Sequence, residues 1–166
     1  SVFKAGSDQI PTENSLDVEK RIDQGVGLVT FFGHSSATIL DVGISDPNNF
    51  NNKNRYPIFL ANGCSSGNVY TGAISYSEQF INGINKGAIA YLATTNAATD
   101  AGLYTYSKAY YELLGQLSYN KSIGTIAKEA AVRAMSQSNN QLNFRYSTAL
   151  EFVLNGDPSI PMPHFS

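Results

Sequence analysis

The sequence holds one cysteine and two histidines, and one of each stands in a similar setting. His34 follows the apolar run Gly27-Leu28-Val29-Thr30-Phe31-Phe32 and lies in Gly33-His34-Ser35-Ser36. Cys64 follows Pro57-Ile58-Phe59-Leu60-Ala61 and lies in Asn62-Gly63-Cys64-Ser65-Ser66-Gly67. A thiol at its ordinary pKa is mostly protonated at neutral pH. A neighbouring imidazolium favours the thiolate, and the thiolate is the form that attacks a carbonyl carbon. The oxyanion formed by that attack needs donors, and the backbone N–H of Cys64 and another in the turn after Gly33 are placed to act as such. Small residues at positions 33, 35, 36, 63, 65 and 66 leave room for a substrate chain.

The same residues have plainer readings. Free cysteine is among the most buried residue types and often only fills space. Gly33-His34 reads equally as a strand-to-loop turn, and Asn62-Gly63 is a common turn dipeptide. It recurs as Asn82-Gly83 and Asn155-Gly156, where no chemistry is expected. His164 stands in a Pro-rich tail, and Asp41, Asp46 and Asp100 read as loop carboxylates. No G-x-S-x-G elbow surrounds any serine. No Gly-rich phosphate motif follows a strand, because Gly25-Val26-Gly27 precedes one. The set Tyr104, Tyr106, Tyr110 and Tyr111 reads as core and rim.

What must bring His34 and Cys64 together is a sheet. Runs 27–32, 57–61 and 87–93 are short and almost wholly apolar, the pattern of strands covered on both faces. Helices are expected over 14–24, with Asn14 or Ser15 as cap, Leu16 and Ile22 inward and Gly25 as stop. Others are expected over 77–85 (Phe80, Ile81 and Ile84 on one side), over 102–115, after a Ser122 cap, and over 144–154. This alternation is α/β order with a parallel sheet and right-handed crossovers. In such sheets a ligand sits beyond the carboxyl ends of the strands. All three expected strands end there in small polar residues, so one site is expected, built by His34, Cys64 and Thr94-Thr95.

Composition narrows the class. The chain of 166 residues carries 13 acids against 11 bases, with 42% apolar and 14% charged residues, which suits one domain with a real core. There is no basic excess to neutralise nucleic-acid phosphates. No apolar run approaches the ~20 residues of a membrane span. A single cysteine forms no internal disulfide, and no Cys/His group has zinc spacing. The opening SVFKAGSDQ has neither Met nor an apolar leader and reads as part of something longer. Residues 1–13 read as an arm and 160–166 as a tail of one domain spanning 1–166.

Several segments also resemble a known family. Leu28 to Thr38 resembles the strand and G-H-G-S-x-T segment of gingipain-like cysteine peptidases, and Pro57 to Gly67 resembles their P-x-x-x-x-x-x-C-x-x-G segment. Gly87 to Thr95 resembles the next strand, and Phe152 to Ile160 resembles the closing G-D-P-S-L. The order and spacing match from about residue 14 to 163. The resemblance implies a caspase-like three-layer α/β sandwich with a mainly parallel sheet. It implies a cysteine endopeptidase in which His34 is general base and acid and Cys64 the nucleophile. The backbone of Gly33, Ser35 and Gly63 would lie around the oxyanion. Thr94, Thr95 and Asn96 would line the pocket for the residue before the scissile bond.

By the same resemblance the protein is bacterial, secreted or on the cell surface, as are relatives that include the type IX secretion sortases. The partner is a peptide or protein substrate. No cofactor is implied, although relatives often carry structural calcium on loops. Two positions depart from the family pattern: its Gly after the His is Ser35, and its Trp is Leu40. The family's first sheet strands, which carry the acid that orients the His, are also expected to be missing. That leaves an open edge beside the first strand for an upstream segment or a second copy to pair with. Two alternatives follow: a family member that has lost activity and serves in cell-surface binding or secretion, and a flavodoxin-like small-molecule binder.

Overall fold

A computed structural model describes residues 12–38, 40, 44, 46–117, 120–137 and 144–161. Four strands form one sheet in the order β1 (Leu28–Phe32), β2 (Ile58–Asn62), β3 (Ala90–Thr94) and β4 (Phe152–Gly156). The first three run parallel and β4 pairs antiparallel with β3. Five α-helices accompany the sheet among the described residues: α1 (Thr12–Gln24), α2 (Tyr76–Ile81), α3 (Asp100–Glu112), α4 (Ile123–Ser136) and α5 (Phe144–Glu151).

Alternation along the strands makes two cores. Phe59, Ala61, Tyr91 and Ala93 face one way, against Ile22 of α1 and Tyr76 and Phe80 of α2. Leu60 and Leu92 face the other way, against Tyr106, Ala109 and Tyr110 of α3, Ile126 and Ala130 of α4 and Ala149 of α5. Helices on both faces explain why β2 and β3 are buried at every residue and why their sequences are continuous apolar runs. Phe59 stacks on Tyr91 at 5.6 Å and Tyr106 on Phe152 at 3.7 Å between centroids, so a large aromatic pair packs on each face.

Local signals set the helix starts. Ser75 and Glu78 form a reciprocal capping box at α2, in which the Ser75 hydroxyl accepts from the Glu78 N–H and the Glu78 carboxylate accepts from the Ser75 N–H. Thr99 caps α3 and Ser122 caps α4 through the same kind of side-chain acceptor. Gly25 (φ +98) stops α1 and donates back to the Ile22 carbonyl.

Five expectations need correction. The segment expected to end helix 144–154 is the strand β4, because Phe152 to Gly156 covers the edge of β3 that would otherwise lie unpaired. A five-residue apolar segment is too short for periodicity to separate helix from strand. β1 is not covered on both faces: it is an edge strand whose only buried residue is Phe31, with Phe32 53% exposed. Leu16 (58% exposed) and Ile84 (83% exposed) point outward, leaving Val18, Ile22 and Phe80 to face the core. Thr12 and Glu13 belong to α1 and not to an arm. Ile160 and Pro161 are docked on the start of α4, with the Ile123 N–H donating to the Ile160 carbonyl, so the free tail does not begin at 160. The arm's residues 1–11, Asp41 and His164 lie outside the described residues.

The tyrosines behave as core and rim, with Tyr106 and Tyr110 buried and Tyr104 and Tyr111 exposed. Burial pushes the Tyr110 hydroxyl up to about 12, from an ordinary value of 10.0. It likewise raises Tyr76, Tyr91 and Tyr106. The unfolded chain releases these protons around pH 10, whereas the folded chain holds them. Above that pH the unfolded state therefore binds fewer protons, and stability falls as pH rises. The expected loss is up to about 1.4 kcal/mol per pH unit for each tyrosine. Urea midpoints at about pH 8 and about pH 11 test this, and equal midpoints would contradict the burial of these hydroxyls.

Candidate active site

The register of the first two strands places the candidate pair. Phe32 of β1 lies opposite Asn62 of β2. His34 and Cys64 each follow two residues later, so they occupy equivalent positions beyond the same edge of two hydrogen-bonded parallel strands. Such strands are ~4.8 Å apart. His34 is exposed and Cys64 half-buried, so the imidazole borders solvent and the thiol sits in partial shelter. β3 ends at the same edge with Thr94, and Asn96 stands two residues beyond it.

Four contacts hold the Cys64 loop. The Ser35 hydroxyl donates to the Cys64 carbonyl at 2.8 Å, a direct tie between the histidine loop and the cysteine loop. The Thr94 hydroxyl donates to the Gly63 carbonyl at 2.6 Å. The Ser65 N–H donates to the Asn96 carbonyl at 3.0 Å. Ser65 has φ +59, the left-handed region that a non-glycine residue adopts at a cost of roughly 1–2 kcal/mol. A backbone held there beside a reactive-type residue fits the clustering of strain at functional sites. Gly67 also donates to the Thr94 carbonyl at 2.9 Å, so the loop after the thiol is fastened at two points, to the end of β3 and to the segment just beyond it. The thiol itself faces the Ala98 carbonyl at 3.8 Å, just before the Thr99 cap of α3.

This geometry sorts the remaining candidates. The Gly33 N–H is taken by the Asn62 carbonyl at 3.0 Å and cannot also face an oxyanion. Thr94 is fully buried and its hydroxyl braces the Gly63 and Asn96 carbonyls, so it supports the loop and lines no open pocket. Thr95 is half-buried and Asn96 exposed, so both border the accessible edge. Asp46 caps the 3-10 turn Pro47–Asn49 and Asp100 lies in the first turn of α3, which are structural placements. Among the described residues no group of three His, Cys, Asp or Glu side chains is placed to hold a metal.

Sequence reasoning missed two contributors. Asn62 is the last residue of β2 and not part of a turn, and the available signal was an amide closing an otherwise apolar strand. The Ala98 carbonyl gave no signal, because a backbone acceptor has no side-chain signature.

The profile of Peptidase family C25 matches residues 2–163. The chain belongs to Peptidase family C25. Among solved structures, the complex of Porphyromonas gingivalis RgpB pro- and mature domains superposes with a TM-score of 0.80 at 17% identity, over 94% of this chain and 38% of that one. The Arg specific cysteine proteinase gingipain R (RGPB) gives 0.79 at 16% identity, over 96% and 37%. A further structure described as a protease gives 0.72 at 18% identity, over 87% and 37%. No curated protein sequence matches the chain significantly. The fold of this C25 member is therefore the caspase-like α/β sandwich of the gingipains, and the chain spans little more than a third of the solved chains' length.

Ser35 and Gly63 are sterically linked. A Cβ at Gly63 would lie 2.2 Å from the Ser35 Oγ and 2.9 Å from the Gly33 carbonyl oxygen. Gly63→Ala is expected to destabilise the protein by about 2–3 kcal/mol. Adding Ser35→Gly removes the tighter clash and is expected to recover about 1 kcal/mol or more. A urea double-mutant cycle measures this coupling, and strictly additive effects would show that the two loops do not touch as described.

Proposed function

We propose that this chain carries the reactive pair of a cysteine endopeptidase, with Cys64 as nucleophile and His34 as general base and acid. The observation that carries the reading is the register: both residues stand two positions beyond the Phe32–Asn62 pair on neighbouring parallel strands. The Ser35 bond to the Cys64 carbonyl supports it, since it fastens the two loops to each other.

In this reading His34 takes the thiol proton and the thiolate adds to the scissile carbonyl carbon. Backbone N–H groups of Cys64, Ser35 and Gly63 stabilise the oxyanion. His34 then returns the proton to the leaving amine, which departs and leaves a thioester. Water, deprotonated by the same imidazole, attacks that thioester and releases the acid. Thr95 and Asn96 border the residue before the scissile bond. The chain acts as the carboxyl part of a larger catalytic domain, with the open edge of β1 completed by further strands, in an exported or surface-held bacterial protein. The match to little more than a third of the gingipain chains and the absence, among the described residues, of any helix long and apolar enough to cross a membrane accord with that reading.

A second reading has its own observation. The thiol donates toward the Ala98 carbonyl, a structural partner on the protein itself, as in a member that binds without cutting. Iodoacetamide labelling of Cys64 against pH in the full-length protein separates the two. The peptidase reading expects fast labelling well below the ordinary thiol pKa of about 8.5, and loss of that labelling in His34→Ala. A wild-type profile that follows an ordinary thiol, unchanged by His34→Ala, would leave the binding module.

A further inference from the structure

β2 is buried at all five residues, and four of them, Ile58 to Ala61, are apolar. Asn62 is the exception. A primary amide in such a position must find hydrogen-bond partners or bear an uncompensated desolvation cost. Both arms of its side chain are satisfied. Nδ2 donates to the Phe31 carbonyl at 3.1 Å, and Oδ1 accepts from the Ser107 hydroxyl at 2.5 Å. The orientation of the amide is dictated by its partners, because the Phe31 carbonyl only accepts and therefore faces the nitrogen. Asn62 also accepts from the Gly33 N–H through its own backbone carbonyl.

These partners lead to the three pieces of the candidate site. Phe31 and Gly33 flank the last residue of β1, directly before His34. Asn62 itself is two residues before Cys64. Ser107 lies on α3, whose N-terminal approach supplies the Ala98 carbonyl that faces the thiol. Among the described residues β1 is an edge strand, hydrogen-bonded to the sheet on one side only. Its carboxyl end, where the histidine loop departs, has the least support of the three parallel strands. The amide adds a side-chain bond at that end and anchors it to a helix on the α3 face of the sheet.

We infer that Asn62 is a positioning residue for the His34–Cys64 pair, locking the ends of β1 and β2 to each other and to α3 through Phe31 and Ser107. It touches neither reacting atom and acts through the backbone on which they stand. This inference rests on the peptidase reading for its effect on reactivity, but the lock itself is testable apart from it.

The test uses the full-length protein with Asn62→Leu, Asn62→Asp and Ser107→Ala, read by three measurements. Asn62→Leu fills the site with hydrocarbon of similar size. Asn62→Asp keeps the acceptor for Ser107 and loses the donor to Phe31. Ser107→Ala is the mild variant that serves if the others fold poorly. The first measurement is the rate of Cys64 alkylation against pH. Both Asn62 variants are expected to slow it by about tenfold or more near neutral pH, since small displacements of paired groups have effects of that size. Ser107→Ala is expected to slow it less. The second is the urea midpoint, which a residue acting only on stability would move in proportion to the alkylation loss. Asn62→Leu is expected to break that proportion.

The third is hydrogen exchange at the Gly33 and Ser65 amides, which donate to the Asn62 and Asn96 carbonyls, expected to quicken in every variant while Leu60 and Leu92 stay protected. An alkylation profile unchanged in folded Asn62→Leu overturns the positioning role. Unchanged exchange at Gly33 and Ser65 overturns the lock. A wild-type thiol that ignores His34, together with faster loop exchange in the variants, sinks the peptidase reading and leaves the lock standing.

Discussion

Parallel pairing of β1 with β2 is the constraint on which the rest depends. Two parallel strands deliver their carboxyl ends to the same edge of a sheet, and the register decides which residues emerge side by side. Here Phe32 meets Asn62, so the segments after each strand begin level. A slip of one residue would turn every strand side chain to the opposite core. The two cores do not permit that. Phe31 belongs with the aromatic face of α1 and α2, while the exposed Thr30 is hydrogen-bonded to Tyr111 of α3 on the other.

The candidate site is built more from backbone than from side chains. Ser35, Thr94 and Asn96 bind the carbonyls and amide of the segment from Gly63 to Ser65. Ser35 stands where the resembling family has glycine, which bears on whether the loop keeps its shape. Its hydroxyl takes up a cross-loop bond, and Gly63 supplies the space in return, because any side chain there would strike the Ser35 oxygen. The departure is accommodated by a matched neighbour. It does not leave the loop unsupported.

The sheet is closed on one side and open on the other. β4 covers β3 in antiparallel fashion, and its Phe152 stacks on Tyr106 beneath α3. Among the described residues β1 has no such cover, and four of its five residues, all but Phe31, are partly or largely exposed. Relatives of more than twice this length superpose on nearly all of the chain. An unpaired strand edge next to the histidine loop, in a chain that matches part of a larger fold, is where additional structure has the most to stabilise.

Much was legible in the sequence. Continuous apolar runs marked the three parallel strands, and for β2 and β3 the reason is burial on both faces, whereas the same pattern in β1 hid its place at the edge. Ser122 and Gly25 marked helix ends, because unpaired backbone groups there need local partners. The small polar residues after each strand, with His34 and Cys64 among them, marked the functional edge. What stayed hidden depends on neighbours distant along the chain. Phe152 to Gly156 is too short to declare itself and becomes a strand only because β3 presents an edge. Leu16 and Ile84 have the residue type of core positions, and only packing shows that they face out. Asn62 reads as a turn residue until β2 is extended by one position and Ser107 comes within bonding distance across 45 residues of sequence. Residue type and spacing set which groups were available, whereas hydrogen-bond direction and burial are pairwise properties that exist only once the chain has folded.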